Sequence, residues 1–482
     1  MIRSFILSIG NAAEAKGCSA VREIDTDYLV VGAGATGMAF ADALVAQSDA
    51  DVVLVDRRHR PGGHWLDAYP FVRLHQPSAY YGVNSRVLGQ DRVDDHGPNA
   101  GFYERATAAE IVDYFNRVLE EELIPSGRVR FYGMSDYMGA DNDGHRFVSL
   151  LTGVPTRVRV RRRVVDATYI ESSIPSRHTP GFVIDAGVRV FPPNDLVDLA
   201  EPASGFTIVG AGKTAMDTCT WLLDAGVDAN RIRWIRPRDG WFFSRTYMQP
   251  LELVASYMQL QAAFIEHAAG CDGPSSFVER LEADGIMIRI DPRVQPKVFR
   301  GATLSQLELD SLRQIDDVVT RGRVRRIGTR AIEFDGSEVA SDPNQVYVDC
   351  TAAGVRPVEA RPVFDRGRIT MQYVTIGIAP WSAATIAAVE ASERDDDRKN
   401  DLCPPVVFTG EASDILRIAH SGITGLVARG AEPDIGAWTE QCRLNPARGA
   451  ADHLDDPQVQ RAFETLAANI GPAVSNLEQL TI

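Results

Sequence analysis

One eight-residue pattern occurs twice in this chain of 482 residues: Val31-Gly32-Ala33-Gly34-Ala35-Thr36-Gly37-Met38 and Val209-Gly210-Ala211-Gly212-Lys213-Thr214-Ala215-Met216. Before each copy stands a short apolar run, Asp27 to Val31 and Phe206 to Val209, and after each comes a stretch of helix formers, Met38 to Gln47 and Thr214 to Ala225. Val52 to Val55 and Arg231 to Ile235 then read as the next strands. A strand that turns on glycines directly into a helix, and returns as a strand, opens a doubly wound parallel sheet. The first glycine permits the tight turn, the second lets a pyrophosphate approach the backbone, and the third (Gly37 or Ala215) lets helix pack on strand. The helix N-terminus adds free N–H groups and the positive end of its dipole. Two copies of one binding device are therefore expected, not a solenoid.

The strands that follow make the two copies unequal. Asp56 stands 22 residues past Gly34, where a carboxylate can take ribose hydroxyls, with Arg57 beside it. The second copy instead runs into Arg236-Pro237-Arg238. Cations there suit a ribose 2′-phosphate, so NADPH is expected rather than NADH, with Lys213, Thr214 and Arg245 assisting and Thr36 as the matching first-turn residue of the first loop.

A net charge of −15 disfavours nucleic acid and anionic membranes as partners and reads as ordinary solubility. The six cysteines form no CxxC pair and show no zinc-like spacing, so no metal is expected and a reducing cytoplasm fits. No run is long enough to span a bilayer.

The rest of the chain organises around the two copies. Residues 1–24 read as a loose N-terminal arm. Thr107 and Glu110 form a capping box for a helix whose apolar face is Ile111, Tyr114, Phe115, Val118 and Leu119. A small antiparallel layer is expected within 141–170, helix from about Pro250 to Gly285, buried strands at Val346–Thr351 and Val406–Glu411, and a surface helix over Pro457–Ile470. The domain expectation is a discontinuous first domain, 25–195 with 346–482, and a second domain, 196–345, with a helical insertion at about 250–315. The fold class is α/β with two Rossmann-like dinucleotide-binding domains.

After Asp56, the chain reads Arg57-Arg58-His59-Arg60-Pro61-Gly62-Gly63-His64-Trp65. This spacing resembles the FAD motif of class B flavin-dependent monooxygenases and, more widely, glutathione-reductase-like flavoproteins. The resemblance implies FAD, with the adenosine end near Asp56 and the isoalloxazine near Gly63, His64 and Trp65. It also implies that Thr409-Gly410-Glu411 is the late segment touching the flavin, with Glu411 where Asp is usual. Disulfide reductases of this superfamily carry a cysteine pair soon after Gly-Gly; here the next cysteine is Cys219, so no thiol relay is expected.

The polar and aromatic segment Arg73 to Ser85 follows the flavin turn. By resemblance it would lie beside the flavin, with Asn84 or Gln76 as the amide at the oxygen site, and His75 and His64 as candidate proton carriers or structural donors. The His fingerprint expected before the second glycine motif is absent from 180–193, so ketone oxygenation is not supported. The resemblance thus implies a monooxygenase using FAD, NADPH and O₂ as co-substrate through a C4a-(hydro)peroxyflavin, on a small-molecule substrate. The alternatives are a reductase or dehydrogenase without oxygen insertion, and a flavin-binding protein without turnover. The oligomeric state stays open, a homodimer among the options.

Overall fold

The computed structural model describes residues 22–141, 144–375, 377–406 and 408–481. Most of the expected N-terminal arm lies outside the described residues. Its end does not: Arg22 to Ile24 already belong to β1 (Arg22–Val31).

β1 turns at Gly32 into α1 (Ala35–Gln47), and the chain returns as β2 (Val52–Val55) parallel to β1. The long segment after β2 leads through α2 (Ala108–Arg117) to β3 (Val129–Tyr132), parallel to β2. The capping box holds as read, with Glu110 N donating to Thr107 Oγ1 at 3.3 Å and Thr107 N to the Glu110 carboxylate at 2.8 Å. β4 (Ser135–Asp141), β5 (Gly144–Ser149) and β6 (Pro155–Asp166) form the expected antiparallel layer, and β6 closes parallel onto β1. β1 is longer than its apolar run because Glu23, Asp25 and Asp27 meet Arg157, Arg159 and Arg161 of β6 at 2.8, 2.7 and 2.8 Å. Such exposed pairs add little stability each, but the alternation fixes the register.

The second unit begins with β7 (Val183–Ile184) and β8 (Arg189–Phe191). β9 (Phe206–Val209) turns at Gly210 into α3 (Lys213–Asp224), which leads to β10 (Ile232–Ile235). A side layer follows: β11 (Gly240–Ser244), α4 (Val254–Gly270), α5 (Pro274–Ala283), β12 (Met287–Ile288) and β13 (Val298–Leu304). After α6 (Gln306–Leu312) come β14 (Val318–Val319), β15 (Arg326–Ile327), β16 (Ala331–Phe334), β17 (Ser337–Ala340) and β18 (Val346–Asp349). The all-parallel sheet has the order β14-β10-β9-β18-β8. β8 and β18 thus both belong to this sheet, which moves the expected limits at 196 and 345 outward. The insertion is not purely helical either: β11, β12 and β13 form their own three-stranded sheet.

The chain then returns to the first sheet through β19 (Phe364–Asp365) and β20 (Arg368–Thr370), the latter parallel to β6. α7 (Ala379–Ala391) packs on α1, whose residues Gly37 to Val45 are all buried; an apolar helix covered on both sides needs no polar face. α8 (Asp396–Leu402), α9 (Asp414–Gly430), α10 (Pro433–Gln441) and α11 (Pro457–Thr481) complete the chain. No strand forms among the described residues of Val406–Glu411. Buried Asp414 instead gathers the backbone N–H groups of Thr409 at 2.6 Å and Gly410 at 2.7 Å into a turn that starts α9. α11 continues past Gly471-Pro472, where the sequence suggests a stop. Ala473 and Leu477 are fully buried in a cluster shared with α4 and α9, and that burial offsets a proline cost of about 3 kcal/mol.

Candidate functional site

Gly32 has φ +102° and Gly63 φ +58°, and the two glycine turns of the first unit touch. A Cβ on Gly63 would lie 2.8 Å from Gly34 Cα, and one on Gly37 would lie 1.9 Å from Gly32 O. Only glycine permits this double turn. Gly34 caps α1 with no side-chain hydrogen bond, and no acidic residue stands in the first turn, so its N–H groups are left to a ligand. Asp56 is buried and takes Ala33 N on Oδ2 at 2.6 Å and Arg58 N on Oδ1 at 2.7 Å. Each oxygen retains a lone pair for a ribose hydroxyl. Arg57 beside it is largely exposed. Thr36 is spent on the fold, donating to Ala167 O at 3.2 Å. Trp65 donates from Nε1 to the Tyr81 hydroxyl at 2.8 Å, which fixes the indole beside the Gly62-Gly63 turn.

The two amide candidates separate. Asn84 accepts Arg443 N at 2.8 Å, while its own N donates to buried Asp42 at 2.9 Å. Arg443 meanwhile fans over the carbonyls of Ala79, Tyr81 and Val83. Asn84 therefore clamps the 79–84 loop through its Oδ1 and its backbone N–H. Gln76 lines an internal chamber described below. His64 and His75 are each pushed down to about 4, chiefly by burial, aided by Arg58 at His64 and by Lys213, Arg105 and Arg245 at His75. Both are therefore neutral near pH 7, each keeping one ring N–H donor and one acceptor nitrogen.

The second loop repeats the first with differences. Gly210 has φ +140°, and a Cβ on it would lie 2.5 Å from Cys350 O. Gly212 caps α3 without a side-chain bond, again with no acidic residue in the first turn. A Cβ on Gly212 would meet nothing within 4 Å, so this side of the loop is open. Lys213 is paired with Asp217, four residues on, and turned inward. Asp217 also accepts the Tyr69 hydroxyl at 2.7 Å, and Phe71 stacks on Trp221 at 4.7 Å. Thus α3 docks directly on the segment that follows the flavin-type turn.

The expected arginine pair also divides. Arg236 is buried, stacked over Trp234 at 5.0 Å and paired with Asp239 at 3.3 Å. Its Nε is buried with no partner among the described residues. Trp234 in turn donates to Gly210 O at 2.8 Å, so Arg236 supports the loop from behind. Arg238 is about one-third exposed and pairs at 3.5 Å with Glu411. Glu411 thus faces the second unit's arginine, and Asp414, not Glu411, organises Gly410. Arg245, expected to assist at the phosphate, is fully buried, with Nη2 on Glu308 at 2.6 Å. Glu308 also takes Arg105 at 3.2 Å. Burial alone would raise the Glu308 carboxyl, but Lys213, Arg245 and Arg105 outweigh it and hold it well below the usual range.

Glu308 was not found from the sequence; the structure places it as N3 of a capping box with Ser305. Nothing local pairs it with two arginines. The chamber was also missed in outline. Its walls come from β11, α4, β13, the start of α7 and α9, and of its lining the sequence singles out Gln76.

A family model described as an NAD(P)-binding Rossmann-like domain matches residues 30–83. The uncharacterized protein Rv2000 of Mycobacterium tuberculosis is 44% identical over 462 residues, covering 95% of this chain and 85% of that protein. An uncharacterized protein of Mycobacterium bovis gives the same values, 44% over 462 residues with 95% and 85% covered. Among solved structures, a flavin monooxygenase from Stenotrophomonas maltophilia is 15% identical, covering 76% of this chain and 98% of its own, at a TM-score of 0.43. Cyclohexanone monooxygenase from Rhodococcus sp. Phi1, bound to NADP+, is 12% identical with 77% and 84% covered and a TM-score of 0.46.

Proposed function

This chain belongs to the family of these uncharacterized mycobacterial proteins, and from that premise we propose that it is an FAD- and NADPH-dependent oxidoreductase of the monooxygenase type. The observation that carries the reading is the Tyr69–Asp217 hydrogen bond at 2.7 Å. It joins the first unit's turn segment to the first turns of α3, so the two glycine loops serve one site.

Both loops fit a pyrophosphate. Each offers helix N–H groups with no side-chain cap and no acidic residue in the first turn, and the second has open space at Gly212. The first would hold FAD through Gly32, Gly34 and Gly63, with Asp56 on the adenosine ribose, Arg57 near the phosphates and Trp65 beside the ring. The second would hold NADPH through Gly210, Gly212 and Thr214, with Arg238 meeting the 2′-phosphate. When bound, FAD accepts hydride from NADPH and, once reduced, activates O₂. The chain's own part is placement and exclusion of water. Gln76 presents a neutral amide at the chamber wall, and the buried Arg105–Glu308–Arg245 group holds the backbone leading to it. His64 and His75, kept neutral, add no competing acid near the reacting centre.

The test is direct. Purified protein should carry a flavin that bleaches with NADPH under anaerobic conditions, and O₂ should then yield an oxygenated product by mass. Bleaching with peroxide alone as product would instead mark a reductase or oxidase, and a protein that neither carries nor binds FAD would end the proposal.

A further inference from the structure

The chamber beside Gln76 has a lining whose chemistry narrows what can enter it. α4 contributes Tyr257, Leu260, Gln261 and Phe264, spaced at i, i+3, i+4 and i+7 and so on one helix face. β13 contributes Phe299, Gly301 and Thr303, alternate residues and so one strand face. Ile378 at the entry of α7 and Phe408 close the first unit's side. Gly301 and Gly377 both line the chamber, and a Cβ on either would meet no atom within 4 Å, so the space stands open at both.

No Asp, Glu, Lys, Arg or His occurs among the described residues of this lining. Charges do lie close behind it, but they are spent on one another: Arg245 is paired with Glu308, and Lys213 with Asp217. Thr303 lines the chamber yet donates its hydroxyl to His75 O at 2.6 Å. That bond anchors the backbone immediately before Gln76. The other polar side chains of the lining are the Gln76 amide, on the first unit, and the Gln261 amide with the Tyr257 hydroxyl, on α4, which hydrogen-bond to each other.

We infer that the chamber selects uncharged molecules, each an apolar or aromatic ring carrying one neutral hydrogen-bonding group that Gln76 and Gln261 recognise. The inference rests on the flavin reading only in treating the chamber as the substrate side of that site. An ion entering here loses its water and finds no counter-charge, a desolvation penalty that a neutral amide of equal size escapes. The aromatic walls supply the binding energy, and the two amides supply orientation.

The experiment uses the full chain as purified, with its flavin, and two matched series of probes. One is benzamide, benzoate and benzylammonium; the other is indole-3-acetamide, indole-3-acetate and tryptamine. Calorimetry should show the neutral member of at least one series binding, with its charged partners weaker by about a hundredfold or more. Gln261→Glu should reverse the order by gaining the cation and weakening the neutral probe. Equal binding of charged and neutral members, no binding by either neutral probe, or an unchanged order in Gln261→Glu would each overturn the inference. So would release of flavin by the neutral probe, which would make the chamber the flavin ring's own bed. The wild-type ordering stands as a test even if the variant does not fold. A protein found to lack flavin, yet showing the charge ordering, would sink the oxidoreductase reading and leave the selectivity intact.

Discussion

Asn84 Oδ1 accepts a hydrogen bond at 2.8 Å from the backbone N of Arg443, a residue 359 positions later in the chain. The same Arg443 guanidinium covers the carbonyls of Ala79, Tyr81 and Val83, so one buried cation and one amide set the path of the loop after Gln76.

Asn84→Ala should therefore act on stability. Loss of this half-buried acceptor leaves Arg443 N unpaired and should cost about 1 kcal/mol. Thermal unfolding should report this while turnover per bound flavin stays near wild type. Gln76→Ala should do the opposite, leaving the unfolding temperature almost unchanged and lowering turnover. Interchanged results would place Asn84 at the active site.

Gly212→Ala isolates the second loop. Its backbone is extended (φ −90°, ψ −178°) and the added methyl meets nothing in the protein within 4 Å. Circular dichroism and FAD content should not change, whereas KM for NADPH should rise roughly tenfold, about 1.4 kcal/mol. An unchanged KM would show that no pyrophosphate lies there.

The arginines should behave differently. Arg238→Ala should raise KM for NADPH by about tenfold and leave NADH nearly unaffected, as expected for loss of a charge-assisted phosphate contact. Arg236→Ala should lower stability first, because Arg236 stacks on the Trp234 that holds Gly210. Equal effects of Arg238→Ala on both nucleotides would remove it from the phosphate site.

Folding stability should depend on pH through His64 and His75. Both have folded values of about 4 against an ordinary 6.5. The unfolded chain thus binds more protons between those values, so stability is full above about 6.5 and falls as pH drops towards 4. Glu308 adds a later loss: held below its ordinary value by Lys213, Arg245 and Arg105, it stabilises above that value and ceases to as it is protonated at lower pH. Unfolding temperature measured against pH should slope through this window, and His75→Gln should flatten it. A curve unchanged by the substitution would place the slope elsewhere.

The two β-α-β openings could be read from sequence because everything they need is local. Glycines, apolar runs and helix formers stand within a few tens of residues, and the observed elements follow them closely. The capping box at Thr107 was legible for the same reason. Val406–Glu411 was misread because an apolar run cannot announce that Asp414 will turn it into a helix start. α11 was read short because Gly471-Pro472 looks like a stop, and the burial that overrides it is contributed by distant helices.

What the sequence by itself determined is the pair of strand-glycine turn-helix loops, since glycine spacing and helix propensity act over neighbouring residues. What only the tertiary structure decided is which polar side chains are paired inside the fold. Asn84 was drawn off by Arg443, Arg245 by Glu308, Lys213 by Asp217 and Arg236 by Asp239. A charged or amide side chain that folding buries must find a partner there, and which partner it finds depends on residues far away in the chain. Gln76 is left facing the chamber, and Arg238, about one-third exposed, meets Glu411 at 3.5 Å.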